Sequence, residues 1–228
     1  MSVSAEKCYR LIIFDWDGTL MDSERRIVDA IQHAAREAGL PVLDEKTSAS
    51  IIGLSLTRAI EQLYPRATPE QVEAMAAAYS RHFLQESDIP MRPFDGAEAL
   101  LRDLKAAGAM LAIATGKSRR GLDQILPESG LAHYFDVTRT PVEAASKPDP
   151  LMLEQILQET GVPVEQALMV GDTTFDMEMA RNAGMDRVAV SFGVHDHAEL
   201  DAFGPLAHFH HLDELRQWLL PRVCQGKG

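Results

Sequence analysis

The chain has 228 residues, enough to bury a sizeable core as one domain of ordinary size or two small ones. Its 22 Lys and Arg stand against 34 Asp and Glu, a formal charge of -12, which argues against a nucleic-acid partner because phosphate-backbone binding needs clustered cations. Cys8 and Cys224 are the only cysteines, so they read as unpaired thiols in a reducing cytosol; no apolar leader precedes the first strand and no run approaches the ~18 apolar residues of a membrane span, so a soluble cytoplasmic protein with no membrane partner is expected.

The apolar run Leu11-Ile12-Ile13-Phe14 predicts a buried strand, and Asp15-Trp16-Asp17-Gly18-Thr19 follows it at once. Two carboxylates this close at a strand's carboxyl end repel each other unless a cation or a shared proton compensates. That mouth is also where open α/β sheets bind ligands, so a divalent metal is expected. Taken alone, the run reads equally well as a turn, since Asp and Gly are common turn residues.

Ile27, Val28, Ile31, Ala34, Ala35 and Ala38 recur at helical spacing, and Gly39 with Pro41 closes that helix. Ser55 caps a second helix over 55–64. Thr68-Pro69-Glu70-Gln71 combines a cap, a first-turn proline and a capping-box glutamine, starting a helix that runs to about residue 85. The Met75, Ala76 and Ala78 stripe on it reads as packing. No convincing strand falls between Met21 and Ile89, which marks an all-helical insertion, 21–89, in a chain whose remaining segments, 1–20 and 90–228, alternate strand and helix. The predicted strands lie at 110–114, 134–137, 167–170 and 187–191, with helices between them and a last helix from Asp213. This rhythm predicts an α/β fold: a doubly wound, Rossmann-like parallel sheet with a helical second domain.

Asp15 through Asp22-Ser23 resembles the first motif of the haloacid dehalogenase-like (HAD) hydrolases, whose phosphatase branch reads Asp-x-Asp-Gly-Thr-Leu-x-Asp-Ser after a strand. Three further stretches agree in order: Thr115-Gly116-Lys117 after a strand, Ser146-Lys147-Pro148-Asp149-Pro150 before a helix, and Gly171-Asp172-Thr173-Thr174-Phe175-Asp176 after another strand. The resemblance implies a Mg²⁺-dependent phosphatase with a helical cap, 21–89, acting on a small phosphorylated metabolite, and is nearest the phosphoglycolate phosphatase subgroup.

It makes Asp15 the nucleophile and Asp17 the general acid and base, roles a carboxylate can fill by holding a phosphoryl group or passing a proton. It makes the Thr115 hydroxyl, the Gly116 and Lys117 amides and the Lys147 ammonium the phosphate-binding groups. Asp15, Asp172 and the Asp17 backbone carbonyl suit a Mg²⁺ ion, with Asp176 supporting its shell. Gly116 replaces the Asn that many relatives carry. Arg58, at the start of a cap helix with no carboxylate partner evident in sequence, is a candidate substrate contact, with a solvated charge as the equal alternative.

A sugar phosphate mutase shares the fold, but such mutases carry a cap histidine where this chain has Ile27. A noncatalytic phosphate-binding protein would not need the second acid, Asp17. The His195-Asp196-His197 and His208-Phe209-His210-His211 clusters read as surface histidines rather than a zinc site, the first of them close enough in sequence to the fourth motif to edge the site. The oligomeric state is not legible.

Overall fold

A computed structural model describes residues 7–224, so residues 1–6 and 225–228 of the expected core segments lie outside the described residues. Strand β1 (Leu11–Phe14) passes through the 15–19 turn into the two-residue strand β2 (Met21–Asp22), which pairs antiparallel with β3 (Arg92–Pro93). A ladder this short has no periodicity, which is why no strand is visible at Met21 in the sequence. Between β2 and β3 the chain is helical: α1 (Glu24–Glu37), α2 (Glu45–Ala49), α3 (Leu56–Leu63) and α4 (Pro69–Arg81), the last continued by a π-helical turn, His82–Glu86. The capping box forms as expected, with Thr68 N–H donating to Gln71 Oε1 at 3.0 Å and Gln71 N–H to Thr68 Oγ1 at 3.3 Å.

After β3 come α5 (Ala97–Ala106), β4 (Met110–Ala114), α6 (Arg119–Glu128), β5 (Val137–Arg139), α7 (Leu151–Thr160), β6 (Ala167–Gly171), α8 (Thr174–Asn182), β7 (Asp186–Val190), α9 (His197–Asp201), β8 (His208–Phe209) and α10 (Leu212–Leu219). Six of the strands form one parallel sheet in the order β5-β4-β1-β6-β7-β8, the doubly wound arrangement expected. The strand expected at 134–137 begins instead at Val137. Tyr134 ends a 3₁₀ turn, Ala132–Tyr134, and is buried by packing rather than by pairing.

Strand β1 is central: Phe14 lies between Ile113 of β4 and Val170 of β6, and all four β1 side chains are buried. The chain winds from β1 toward β4 and β5 on one side and then toward β6, β7 and β8 on the other. The carboxyl ends of β1, β4 and β6 therefore share the topological switch point where such sheets bind ligands. Among the described residues no helix is long and apolar enough to cross a membrane.

The unpaired thiols expected from the sequence are corrected: Cys8 and Cys224 form a disulfide, with Cα atoms 4.9 Å apart. Tyr9 N–H donates to Arg222 O at 2.7 Å and Cys224 N–H to Tyr9 O at 2.9 Å, so the segments 8–9 and 222–224 lie side by side although 216 positions separate the cysteines. Sequence distance hid the pairing, and with it goes the argument from free thiols for a reducing compartment. Loop closure over so long a segment predicts a stabilisation on the order of 5 kcal/mol. Reduction, or a Cys8→Ser variant, should lower Tm by roughly 10 °C or more in calorimetry without altering the carboxylate centre.

Candidate active site

The turn after β1 carries Asp15 and Asp17, the loop after β4 carries Thr115, and the loop after β6 carries Asp172. Lys147 comes from the segment between β5 and α7, and Asp176 from the first turn of α8. Asp15, Lys147, Asp172 and Asp176 are all fully buried. Lys147 Nζ lies 2.7 Å from Asp15 Oδ1 and 2.6 Å from Asp176 Oδ1. Asp172 accepts hydrogen bonds from Thr19 Oγ1 at 2.7 Å and Val194 N–H at 2.9 Å. The other oxygen of Asp176 accepts from Thr173 N–H at 3.0 Å and Thr173 Oγ1 at 2.7 Å, so Asp176 both starts α8 and holds Lys147.

Only a glycine fits at position 18. Its φ is 83°, in the left-handed region, and a Cβ there would stand 2.3 Å from Asp172 Oδ2.

Asp15, Asp172 and Asp176 each offer an oxygen, and these atoms all lie within 4.8 Å of one another. Three carboxylates thus face one ammonium. Burial drives the Asp15 pKa far above the usual carboxylate range, and Asp176 and Asp172 add to this against the pull of Lys147. Burial and then Asp176 push Asp172 up to about 7, against its bonds from Val194 and Thr19 and the charge of Lys147. Burial alone would lower the Lys147 pKa, but Asp15 and Asp176 outweigh it and hold the ammonium. Neither Asp15 oxygen has a well-directed hydrogen bond, since the close approach of Lys147 to Oδ1 is not aligned as one. A buried carboxylate with an orphaned oxygen among excess negative charge fits a divalent cation.

Asp15 and Asp17 also open onto a cavity of about 70 Å³, walled by Thr115, Gly116 and Lys117 on the sheet side. The opposite wall comes from α1, α3, α4, the π-helical turn and the 51–54 loop. Asp17 is turned away from the carboxylate cluster. One oxygen accepts from Ser23 Oγ at 2.7 Å, and the other lies 3.1 Å from Lys117 Nζ. Thr115 Oγ1 accepts the Lys117 N–H at 3.2 Å, which orders the loop entering α6.

The absence of Asn at position 116 has a steric cause, because a Cβ there would meet Gly53 O at 2.3 Å and Leu54 O at 2.5 Å. Ser55 N–H also donates to Ser146 Oγ at 2.9 Å beside Lys147. His195 sits at the same seam, its Nδ1 accepting from Thr174 N–H at 3.0 Å and its Nε2 3.2 Å from Ser50 O. His197 and His208 stack at 3.7 Å and share Asp201.

Arg58, the candidate substrate contact, is exposed and does not line the cavity, because α3 turns Leu56 and Ala59 to that side. An Arg58→Ala variant should keep kcat and KM within roughly twofold in steady-state assays, as surface substitutions away from a site do. The buried cation on the cavity is Lys117, whose ammonium also lies 4.4 Å from the Phe83 ring centroid. Sequence reasoning assigned Lys117 only its backbone amide. No local signal links it to Phe83, which stands in the distant π-helical turn.

A family model for haloacid dehalogenase-like hydrolases matches residues 12–190. A probable phosphatase IndB of Dickeya dadantii is 36% identical over 201 residues, covering 86% of this chain and 86% of that protein. A phosphoglycolate phosphatase of Vibrio cholerae is 31% identical over 201 residues, covering 85% and 88%. The crystal structure of a predicted phosphatase from Clostridium acetobutylicum superposes with a TM-score of 0.84 at 25% identity, covering 94% of this chain and 99% of that one. With the carboxylate centre at the switch point of its sheet and similarity running through all four motif-bearing segments, the chain belongs to the haloacid dehalogenase-like hydrolases.

Proposed function

We propose that the protein is a Mg²⁺-dependent phosphatase that hydrolyses a small phosphorylated metabolite through an aspartyl phosphate, with residues 1–20 and 90–228 as its catalytic core and 21–89 as its cap. The observation that carries this reading is Asp15: a buried carboxylate with an orphaned oxygen, beside Lys147 and on the lining of the cavity. An Asp15 oxygen attacks phosphorus while the bond to the leaving oxygen breaks, and Asp17 delivers a proton to that oxygen. Asp17 then takes a proton from water, whose oxygen attacks phosphorus, releasing phosphate and restoring the Asp15 carboxylate. The Thr115 hydroxyl, the Gly116 and Lys117 amides and the Lys147 ammonium bind the phosphoryl oxygens through both steps.

Asp15, Asp172 and the Asp17 carbonyl would hold the Mg²⁺, with Asp176 supporting it by fixing Lys147. When bound, the ion supplies charge neutralisation among the carboxylates and the phosphoryl group. Ile27, at the place where a mutase of this fold carries a histidine, lines the cavity with an apolar side chain and offers no proton carrier, which favours water as the acceptor. The names of the relatives supply a first assay substrate, 2-phosphoglycolate. Phosphate release with Mg²⁺ from a panel of phosphate monoesters, together with a hydroxylamine-labile phosphoenzyme after acid quench, is the expected result. Binding of the same esters with neither release nor labelling would instead assign a noncatalytic phosphate-binding protein.

A further inference from the structure

We infer that the substrate's organic part is uncharged and apolar; this assignment rests on the phosphatase reading above. The wall facing Asp15 and Asp17 is built from Ile27, Ile31, Ile52, Leu56, Tyr79 and Phe83. The two aromatic rings stack on each other, 9° between planes with centroids 5.5 Å apart, with Lys117 over the Phe83 ring, and their edges add to the apolar lining.

Counter-charge for a second anion is missing. Among the described residues Lys117 is the only Lys or Arg lining the cavity, and no His lines it. The Lys117 ammonium is already engaged by Asp17 at 3.1 Å and by the Phe83 ring. A carboxylate on the organic part would enter an apolar wall with no free cation, and Arg58 lies outside.

Hydroxyl groups fare little better. Ser80, the one serine on that wall, spends its Oγ–H on Ala76 O in its own helix at 2.9 Å, and the Gly53 and Leu54 carbonyls are packed against Gly116. A polyhydroxylated sugar would find only the Tyr79 hydroxyl unengaged among the side chains of that wall and would leave its other polar groups unpaired. Space of about 70 Å³ admits a few water molecules, so a small organic group suits the site better than a large ligand.

The test compares kcat/KM with Mg²⁺ for benzyl phosphate, 2-phosphoglycolate and glucose 6-phosphate. All three have an aliphatic leaving oxygen, so intrinsic reactivity of an aryl ester does not decide the outcome. Benzyl phosphate should exceed the other two by roughly tenfold to a hundredfold, the range over which apolar pockets discriminate. A Leu56→Arg variant, which puts a cation in the wall at the first turn of α3, should shrink the ratio of benzyl phosphate to 2-phosphoglycolate at least tenfold. Turnover that favours 2-phosphoglycolate or glucose 6-phosphate, or a ratio unmoved by Leu56→Arg, overturns the substrate class and leaves the phosphatase reading standing. No release from any of the three, with no phosphoenzyme, overturns both together.

Discussion

An Asp15→Asn variant is expected to release no phosphate from any ester, whereas Asp17→Asn is expected to retain a first step that depends on the leaving group. Both substitutions remove one negative charge from the same turn, so charge alone would make the two variants fail alike. Asp15 is the carboxylate with the orphaned oxygen, and without it no acyl phosphate forms, a loss of roughly 10⁶-fold in the manner of other nucleophile knockouts. Asp17 lies on the cavity but outside the metal-competent cluster, held by Ser23 and Lys117, a position suited to passing a proton.

Loss of the Asp17 proton transfer should cost roughly 10²- to 10⁴-fold with an alkyl ester. With an aryl ester, whose leaving oxygen needs little protonation, Asp17→Asn should form the phosphoenzyme more readily, and its hydrolysis should lag. Rapid-quench labelling with phenyl and benzyl phosphate distinguishes these outcomes. Equal proportional losses for both esters, with no phosphoenzyme trapped, would reject Asp17 as acid and base.

The central strand and its two acids were legible because a buried parallel strand must be continuously apolar, and carboxylates at its end stand out against it. The cap's helical character was legible through the Thr68 to Gln71 box and the 27–38 stripe, both local patterns. What escaped the sequence is what only tertiary packing creates. Lys117 meets Phe83 and Asp17 across the cavity, Ser23 turns its hydroxyl to Asp17, and the Val194 amide reaches Asp172 from the loop after β7. The Cys8 and Cys224 pair belongs to the same class, set by the meeting of two segments 216 positions apart. Position 116 reads as an ordinary glycine until the 53–54 carbonyls are seen against it.

Chelation should abolish turnover, and Mg²⁺ should restore it while raising the melting temperature of the metal-free protein. Asp15, Asp172 and Asp176 crowd their oxygens within 4.8 Å around a single ammonium, so the metal-free centre carries excess buried negative charge. The folded protein keeps the Asp172 proton up to about pH 7, whereas an unfolded chain releases it near pH 4. More protons are then bound in the folded state across that interval, so metal-free stability should fall as pH rises from about 4 to 7, and the raised Asp15 acts in the same direction. At pH 8 the Asp172 carboxylate is ionised and ready for a cation. A hundredfold excess of Mg²⁺ over its Kd adds about 2.7 kcal/mol, or roughly 5 to 10 °C in Tm, and the shift should shrink at pH 5. Asp172→Asn separates ligation from general stability: metal-free at pH 8, the variant should melt higher than the unaltered protein because a repelled buried charge is gone. It should also be inactive, with a Tm that ignores Mg²⁺. Calorimetry at the two pH values reads all of this. Full activity after exhaustive EDTA treatment with no metal found by elemental analysis, or an Asp172→Asn protein that Mg²⁺ still stabilises, would remove Asp172 from the metal site.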